Sequence, residues 1–198
     1  MTRASFAFAP LALLLTSFAF AQPPAPATPA PPRPFQVPNP HYVTVPMSID
    51  VNAPAAKVWA RIGKFCDIGE WGVPGCTLLS GDGGLGSVRS TAGSEVMVGR
   101  SQYSYTYTQP VREGVPYNLY HGTLEAVPVT ASTSRISYTL VFDNSMLADD
   151  AAREKDIATR KARFTKMIEN MKVLAEGGTL PPGAVAAPAA APAAAAPR

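Results

Sequence analysis

Two histidines and two cysteines are all that this chain of 198 residues has of the side chains most used in proton transfer, nucleophilic attack and zinc binding. No Ser-His-Asp or Cys-His arrangement, metal-ligand cluster or pair of catalytic carboxylates stands out in the sequence. The two cysteines have no histidine nearby, so they make poor zinc ligands. We therefore expect no metal and no cofactor, and no residue receives a catalytic role from a motif.

Two residues are weak catalytic candidates. His121 lies in a predicted strand, where it faces either a cavity or the surface, and histidine is the side chain that titrates near neutral pH. Glu70 adjoins Trp71, and a carboxyl group beside an aromatic pocket can acquire a raised pKa. The alternative for both is an ordinary surface position. The sequence leaves enzymatic activity open and favours a protein without it.

Charge is also scarce, since only 16% of the residues are charged and the formal net charge is +3. The basic residues are scattered or lie on the last predicted helix, where acidic residues alternate with them. Nucleic-acid binding usually needs a concentrated basic patch. We therefore expect no nucleic-acid partner.

The first 21 residues have the pattern of a secretory signal peptide. Arg3 precedes an apolar run over 4–18, and Ala19, Phe20 and Ala21 form a small-residue cleavage pattern. The alternative is an uncleaved anchor, but the run is short and contains Pro10. We predict cleavage after Ala21, no stable membrane span afterwards, and a periplasmic or secreted protein.

Proline and alanine dominate both ends of the remaining chain. Residues 22–40 are predicted to be a disordered Pro/Ala-rich linker, and 179–198 a disordered Ala/Pro-rich tail, because neither segment has much to bury. Residues 41–178 are long enough for one hydrophobic core and too short for two. The sequence thus predicts one folded domain between two extended arms.

Cys66 and Cys76 are the only cysteines, and disulfides persist in exported proteins. We predict a Cys66–Cys76 disulfide that ties the segment after the first helix to the start of the second strand. The alternative is a pair of buried thiols, because sequence does not show whether the two Cα atoms are close enough.

The segment 43–63 predicts a strand followed by a helix. Apolar residues alternate with polar ones from Val43 to Val51, and Pro46 on the polar phase indicates an edge strand. Asn52 is a candidate cap and Pro54 suits the first turn of a helix that Gly63 ends.

A glycine-rich run, Gly81-Asp82-Gly83-Gly84-Leu85-Gly86, formally matches the G-x-G-x-x-G nucleotide fingerprint. That fingerprint requires a helix after it, whereas Ser87 to Ser90 have an extended pattern. We therefore predict a structural hairpin. The next strand, roughly Glu95 to Gly99, looks shortened.

Three later strands and a long helix complete the pattern. Tyr103, Tyr105 and Tyr107 alternate with Ser and Thr, so one face carries a row of phenols that either lines a cavity or packs as ordinary sheet surface. Strands follow over 117–127 and 135–143, the second with Ile136, Tyr138, Leu140 and Phe142 inward. Residues 149–176 predict one amphipathic helix with the apolar positions Ile157, Phe164, Met167, Ile168, Met171, Leu174 and Ala175.

This order of elements resembles the START-like, birch-pollen-allergen superfamily, and in particular its polyketide cyclase/dehydrase and lipid-transport branch of SRPBCC proteins. The resemblance implies an α+β helix-grip fold, in which a curved antiparallel sheet wraps around a long C-terminal helix and two short helices follow the first strand. The sequence also departs from that of many members, which carry Trp-His-Pro where this chain has Trp71-Gly72-Val73-Pro74.

From the resemblance we expect an exported binding or carrier domain for a small hydrophobic, lipid-like or polyketide-like ligand held between the sheet and the helix. The alternatives are a cyclase or dehydratase using the same cavity, and an envelope interaction module without ligand. The residues expected to converge on the ligand are Trp71, Tyr105, Tyr107, Tyr120, Tyr138, Phe142, Phe164 and Ile168.

Overall fold

The computed structural model describes residues 39–91, 93–110 and 114–185. The predicted signal peptide, residues 22–38 of the predicted linker and residues 186–198 of the predicted tail lie outside the described residues. The division of the chain into these segments therefore stays a prediction.

Seven strands and three helices make up the described part of the chain. In chain order they are β1 (Tyr42–Val51), α1 (Ala55–Ile62), α2 (Ile68–Trp71), β2 (Thr77–Ser80), β3 (Val88–Ser90), β4 (Ser94–Ser101), β5 (Ser104–Thr108), β6 (Asn118–Pro128), β7 (Ser134–Asp143) and α3 (Asp150–Ala175).

All seven strands form one curved antiparallel sheet in the order β1-β7-β6-β5-β4-β3-β2. The long helix α3 lies against its inner face, and the short α1 and α2 follow β1. The predicted helix-grip fold is confirmed. No helix in the described ranges has the length and apolar composition needed to cross a bilayer.

The alternation of apolar and polar residues in β1 matches their burial, as predicted. Val45, Met47 and Val51 are buried while the polar phase is exposed. Pro46 lies on this edge strand opposite Thr139 of β7, where its missing N–H removes no hydrogen bond from a central ladder.

Helix α1 forms after Pro54 and buries Val58 and Ile62. The predicted capping role of Asn52 is wrong, because no side chain caps this helix and the Asn52 backbone N–H instead donates to Glu176 Oε1 at 2.8 Å. Gly63 ends the helix where the Trp59 ring leaves no room for a side chain.

The glycine-rich run forms the β2–β3 hairpin, as predicted, and no helix follows it. Gly81 has φ = 80°, a conformation that favours glycine, and a Cβ there would lie 2.3 Å from Ser87 Oγ. That same hydroxyl accepts the Gly83 N–H at 2.9 Å, which closes the turn.

Strand β4 is not shortened, and that expectation is wrong. It runs for eight residues, but its register with β5 shifts between Met97 and Gly99. This irregularity breaks the alternation of side chains along the strand. Because of this break, the alternation in the sequence covers only part of the strand, and the strand looks shorter than it is.

The inward phase of β7 is the one that the alternation predicts, and on β5 and β6, where alternation left two faces open, the phases with Tyr105, Tyr107 and Tyr120 point inward. Their buried side chains are Tyr105, Tyr107, Tyr120, Leu124, Ala126, Ile136, Tyr138, Leu140 and Phe142. Gly122 faces Tyr107 across the β5–β6 ladder, and a Cβ on it would lie 2.5 Å from the Tyr107 ring. The missing side chain therefore makes room for an inward phenol.

Helix α3 begins at a side-chain cap, in which Asp149 Oδ1 accepts the Ala152 N–H at 2.8 Å. Its C-terminal half buries most of the predicted stripe, from Phe164 to Ala175, whereas Ile157 is only partly buried. The helix is therefore anchored at one end and more open at the other.

The predicted disulfide is present. Cys66 and Cys76 are bonded, with Cα atoms 5.4 Å apart, and the bridge links the loop after α1 to the residue before β2.

Candidate ligand-binding cavity

A cavity of about 340 Å³ lies between the sheet and α3, and we call it the inner cavity. This is within the size range of small-molecule sites, about 300–1,000 Å³. Its walls come from α2 and the loop after it, β4, β5, β6 and one face of α3. The lining residues are Ile68, Val73, Thr91, Glu95, Tyr107, Gln109, Val115, Pro116, Tyr117, Tyr120, Asp156, Thr159, Arg160, Arg163, Phe164 and Met167.

A chain of polar side chains forms one wall of the inner cavity. Gln109 Nε2 donates to Glu95 Oε1 at 2.9 Å, and the Tyr117 hydroxyl donates to Gln109 Oε1 at 2.6 Å. Tyr107 is fully buried, and its hydroxyl accepts a hydrogen bond from that of Tyr138 at 3.0 Å. Because a hydroxyl that accepts retains its own proton, this wall can supply both donors and acceptors to a ligand oxygen.

Glu95 is held by a buried ion pair with Arg89. Nε and Nη2 of Arg89 each lie 2.7 Å from Glu95 Oε2, and both side chains are almost inaccessible to solvent. Nη1 of the same guanidinium donates to the Phe65 carbonyl and lies 3.4 Å from the Tyr105 hydroxyl. The guanidinium also faces the Phe65 ring at 4.2 Å and the Tyr107 ring at 4.9 Å.

Four tyrosines surround this ion pair, and burial raises the pKa of each of their phenols. They are Tyr105, Tyr107, Tyr120 and Tyr138. The phenols therefore stay neutral across the physiological range and act as hydrogen-bonding groups.

The rim of the inner cavity on α3 carries two guanidinium groups. Arg160 lies over the rings of Tyr117 and Phe142, at 4.7 Å from each centroid, and its Nε donates to Asp156 Oδ2 at 2.8 Å. Arg163 lies one turn further along the helix and is exposed.

A second cavity, which we call the outer cavity, has a volume of about 510 Å³ and lies between the α1–α2 loop and the β2–β3 hairpin. Trp59, Phe65 and Tyr105 contribute aromatic surface, but charged side chains also line it, among them Lys64 and Arg100. It is the larger of the two but does not reach α3. The sheet-to-helix position and the buried polar wall both favour the inner cavity as the ligand site.

Arg89 lies between residues that line the two cavities. Along β5, Tyr105 lines the outer cavity and Tyr107 the inner one, and along β4 Met97 and Glu95 divide in the same way. The guanidinium contacts residues on both sides.

The eight residues expected to converge on a ligand fall into three groups. Tyr107, Tyr120 and Phe164 line the inner cavity, and Tyr105 lines the outer one. The other four are buried in the core and line neither cavity; they are Trp71, Tyr138, Phe142 and Ile168.

The two weak catalytic candidates lie away from both cavities. His121 is on the outward phase of β6, and its Nδ1 lies 2.8 Å from the Leu119 carbonyl oxygen. Glu70 is largely exposed and pairs with Arg61 at 2.7 Å. Neither side chain lines either cavity.

Sequence reasoning missed the residues that give the inner cavity its polarity, namely Arg89, Glu95, Gln109, Arg160 and Arg163. A charged residue in a strand normally indicates a solvent-facing position. The available signal was the opposite charge of Arg89 and Glu95 across a short hairpin, because the two residues are direct partners in the β3–β4 register.

Solved structures with the same fold include proteins of different kinds. A Thermobifida fusca protein is 24% identical, with a TM-score of 0.58, and the match covers 70% of this chain and 97% of that one. Norcoclaurine synthase from Thalictrum flavum is 12% identical, with a TM-score of 0.55 and coverages of 71% and 97%. A START superfamily protein from Mycobacterium smegmatis is 11% identical, with a TM-score of 0.53 and coverages of 66% and 97%. At these identities the likeness establishes the fold alone.

The family model described as polyketide cyclase / dehydrase and lipid transport matches residues 42–176. The chain belongs to this family, as its resemblance to SRPBCC proteins predicts. No curated protein matches the sequence.

Proposed function

We propose that this protein is an exported binding or carrier domain that holds a small, mainly hydrophobic ligand in the inner cavity. The observation that carries the proposal is a cavity with an aromatic and aliphatic lining and one wall of buried polar groups. Such a lining excludes water from an apolar ligand body, and a few fixed donors and acceptors orient its oxygen atoms.

The state of Glu95 favours binding over catalysis. Both of its oxygens already accept hydrogen bonds, one from Arg89 and one from Gln109, and the adjacent guanidinium balances its charge. A carboxylate so engaged is a poor general base, because proton abstraction requires an available oxygen within reach of the substrate. The alternative is a cyclase or dehydratase that uses the same cavity. Turnover of a substrate by the protein with Glu95 in place would favour that alternative.

The buried phenols and the cavity itself support a ligand-binding role over an interaction module without ligand. Export is supported by the signal-peptide pattern of residues 1–21 and by the Cys66–Cys76 disulfide. Intact mass of protein recovered from its own compartment tests export directly. A mature chain that begins at Gln22 is expected, whereas an uncleaved chain would contradict it.

Native mass spectrometry of the mature protein, looking for a co-purified small molecule, is the first test of binding. The second is fluorescence titration with the neutral probe N-phenyl-1-naphthylamine. Thr159→Trp places a large ring at an exposed position on the cavity rim, whereas Ala158→Trp places it at the adjacent exposed position outside the lining. We expect the first variant to abolish probe binding and the second to retain it. Equal binding by both variants would show that the inner cavity is not the site.

The polar wall has its own test. Tyr107→Phe keeps the ring and removes the hydroxyl, so the affinity for 1-naphthol should fall by about 1 kcal/mol, or about fivefold. Tyr103→Phe is the matched control, because Tyr103 lines neither cavity and its hydroxyl accepts from Gln102. Equal effects of the two changes would show that Tyr107 does not contact the ligand oxygen.

A further inference from the structure

Among the residues that the structure describes, the charges around the inner cavity are unequal, and the excess is positive. Glu95 is balanced by Arg89, and Asp156 is balanced by Arg160, each through an ion pair. Arg163 also lines the cavity and forms no ion pair with any described residue. The lining therefore carries one uncompensated cation at its rim.

We infer that the ligand carries an organic anion, a carboxylate or a group of similar charge, which Arg160 and Arg163 bind at the rim of the inner cavity. This inference rests on the function proposed above. It adds that the ligand is amphipathic, with an apolar body inside and its charge at the surface.

Arg160 is held ready for such a contact. Its guanidinium is fixed over the Tyr117 and Phe142 rings, and only its Nε–H donates to Asp156 among the described residues. The two Nη groups are left to bind a second acceptor, and a fixed planar guanidinium loses little freedom when it binds a carboxylate.

Arg163 supplies the second cation on the same side of the helix. Residues three apart lie on neighbouring positions of a helix surface, so Arg160 and Arg163 can approach one anion together. Thr159 also lines the cavity here and is uncharged. Within the described part of the chain, the rim thus combines two cations with a single carboxylate, Asp156.

The cavity volume limits the size of the ligand. At water's share of about 30 Å³ per molecule, 340 Å³ holds about eleven water molecules, and the bonded atoms of a ligand pack more closely than that. The ligand class is therefore a one- to three-ring aromatic acid or a carboxylic acid of short to medium chain length, and a phospholipid with two full acyl chains is too large.

A pair of probes separates this inference from the proposed function. 1-Anilinonaphthalene-8-sulfonate and N-phenyl-1-naphthylamine share one ring skeleton, and only the first carries an anion. The purified chain should bind the anionic probe at least about fivefold more tightly. Raising the salt concentration should reduce that preference, because salt screens exposed charges.

Variants assign the preference to the rim. Arg163→Gln should lower the affinity for the anionic probe about fivefold and leave the affinity for the neutral probe unchanged. Arg163→Lys should retain most of the preference for the anionic probe. Lys161→Gln removes the same charge from an exposed position of α3 outside the lining and should change neither affinity. Arg160→Gln should weaken binding of the anionic probe as Arg163→Gln does. Because Arg160 packs on the Tyr117 and Phe142 rings, a thermal melt verifies that this variant is still folded.

The outcomes are distinguishable. Equal affinity for the two probes, or an equal loss on Lys161→Gln and Arg163→Gln, overturns the anion inference and leaves the carrier proposal standing. If neither probe binds, or if both bind unchanged to the Thr159→Trp variant, the inner cavity is not a binding site and both proposals fail.

Discussion

Replacement of Arg89 by methionine tests the buried polar cluster. Methionine has a similar length and no charge, so Arg89→Met removes the guanidinium with limited loss of packing. In the native protein that group contacts Glu95, the Phe65 carbonyl and the Tyr105 hydroxyl. The substitution leaves all three without this partner inside the domain.

The expected loss follows from those contacts. Breaking a buried ion pair by removing one partner costs about 3–5 kcal/mol, because the remaining charge stays buried. The Phe65 carbonyl adds to that cost if water does not reach it, since an unsatisfied buried acceptor costs about 1–3 kcal/mol. A domain of ordinary stability has about 5–15 kcal/mol in total. Arg89→Met should therefore lose a large share of the free energy of unfolding.

A double substitution distinguishes the charge from the packing. Arg89→Met with Glu95→Met removes both charges, and replacing a buried ion pair by apolar residues of similar volume is often close to neutral. Glu95→Met also removes the acceptor of the Gln109 side chain, so the recovery should be incomplete. We expect the double variant to regain about half or more of the free energy of unfolding that Arg89→Met loses. The two single changes and the double change form a thermodynamic cycle.

Urea unfolding followed by tryptophan fluorescence measures these differences through the two tryptophans, Trp59 and Trp71. The reasoning is refuted if Arg89→Met costs less than about 1 kcal/mol. It is equally refuted if the double variant is as unstable as the sum of the two single variants, since no coupling would then exist.

Three further predictions concern packing, the disulfide and alkaline pH. Gly122→Ala should destabilise the domain by about 1–2 kcal/mol, since its Cβ would meet the Tyr107 ring, and unchanged urea unfolding would contradict this. Replacing Cys66 and Cys76 together by serine should cost about 3 kcal/mol, and an unchanged urea midpoint would contradict it. The four buried phenols have pKa values raised by burial, so their contribution to stability is complete below about pH 10 and is lost as pH rises towards the folded-state values. Tyrosinate absorbance of these four should appear only together with loss of circular dichroism, and ionisation in the folded protein would refute the assignment.

The sequence patterns predict the fold well, because strand alternation and helix periodicity report directly which side of an element is buried. Pro46 indicated the edge strand, and the inward phase of β7 followed from alternation, whereas on β5 and β6 alternation gave two faces and the resemblance selected the inward one. Prediction failed where register is irregular, at the shift between Met97 and Gly99. Local patterns contain no information about such a shift.

The cavity was harder to predict than the fold. Inward phase was predicted for Tyr105 and Tyr107, but phase alone does not show that they line different cavities. Arg89 and Glu95 were missed because a hydrophobic pattern assigns charges to the surface, and their burial depends on each other. Each of these charges is stable in the protein interior only beside the other, so neither residue on its own indicates that both are buried.

The separation of the two cavities has a consequence for how this fold can change its ligand. The side chains of Tyr105 and Tyr107 line one cavity each, and Arg89 contacts residues of both linings. We expect smaller residues at these positions to join the two cavities, provided that a change at Arg89 is accompanied by one at Glu95 that removes the unpaired charge. A chain with this backbone can therefore exchange a compact ligand for an elongated one by a handful of substitutions, so ligand length within such a lineage should follow the residues at these positions more closely than overall sequence identity.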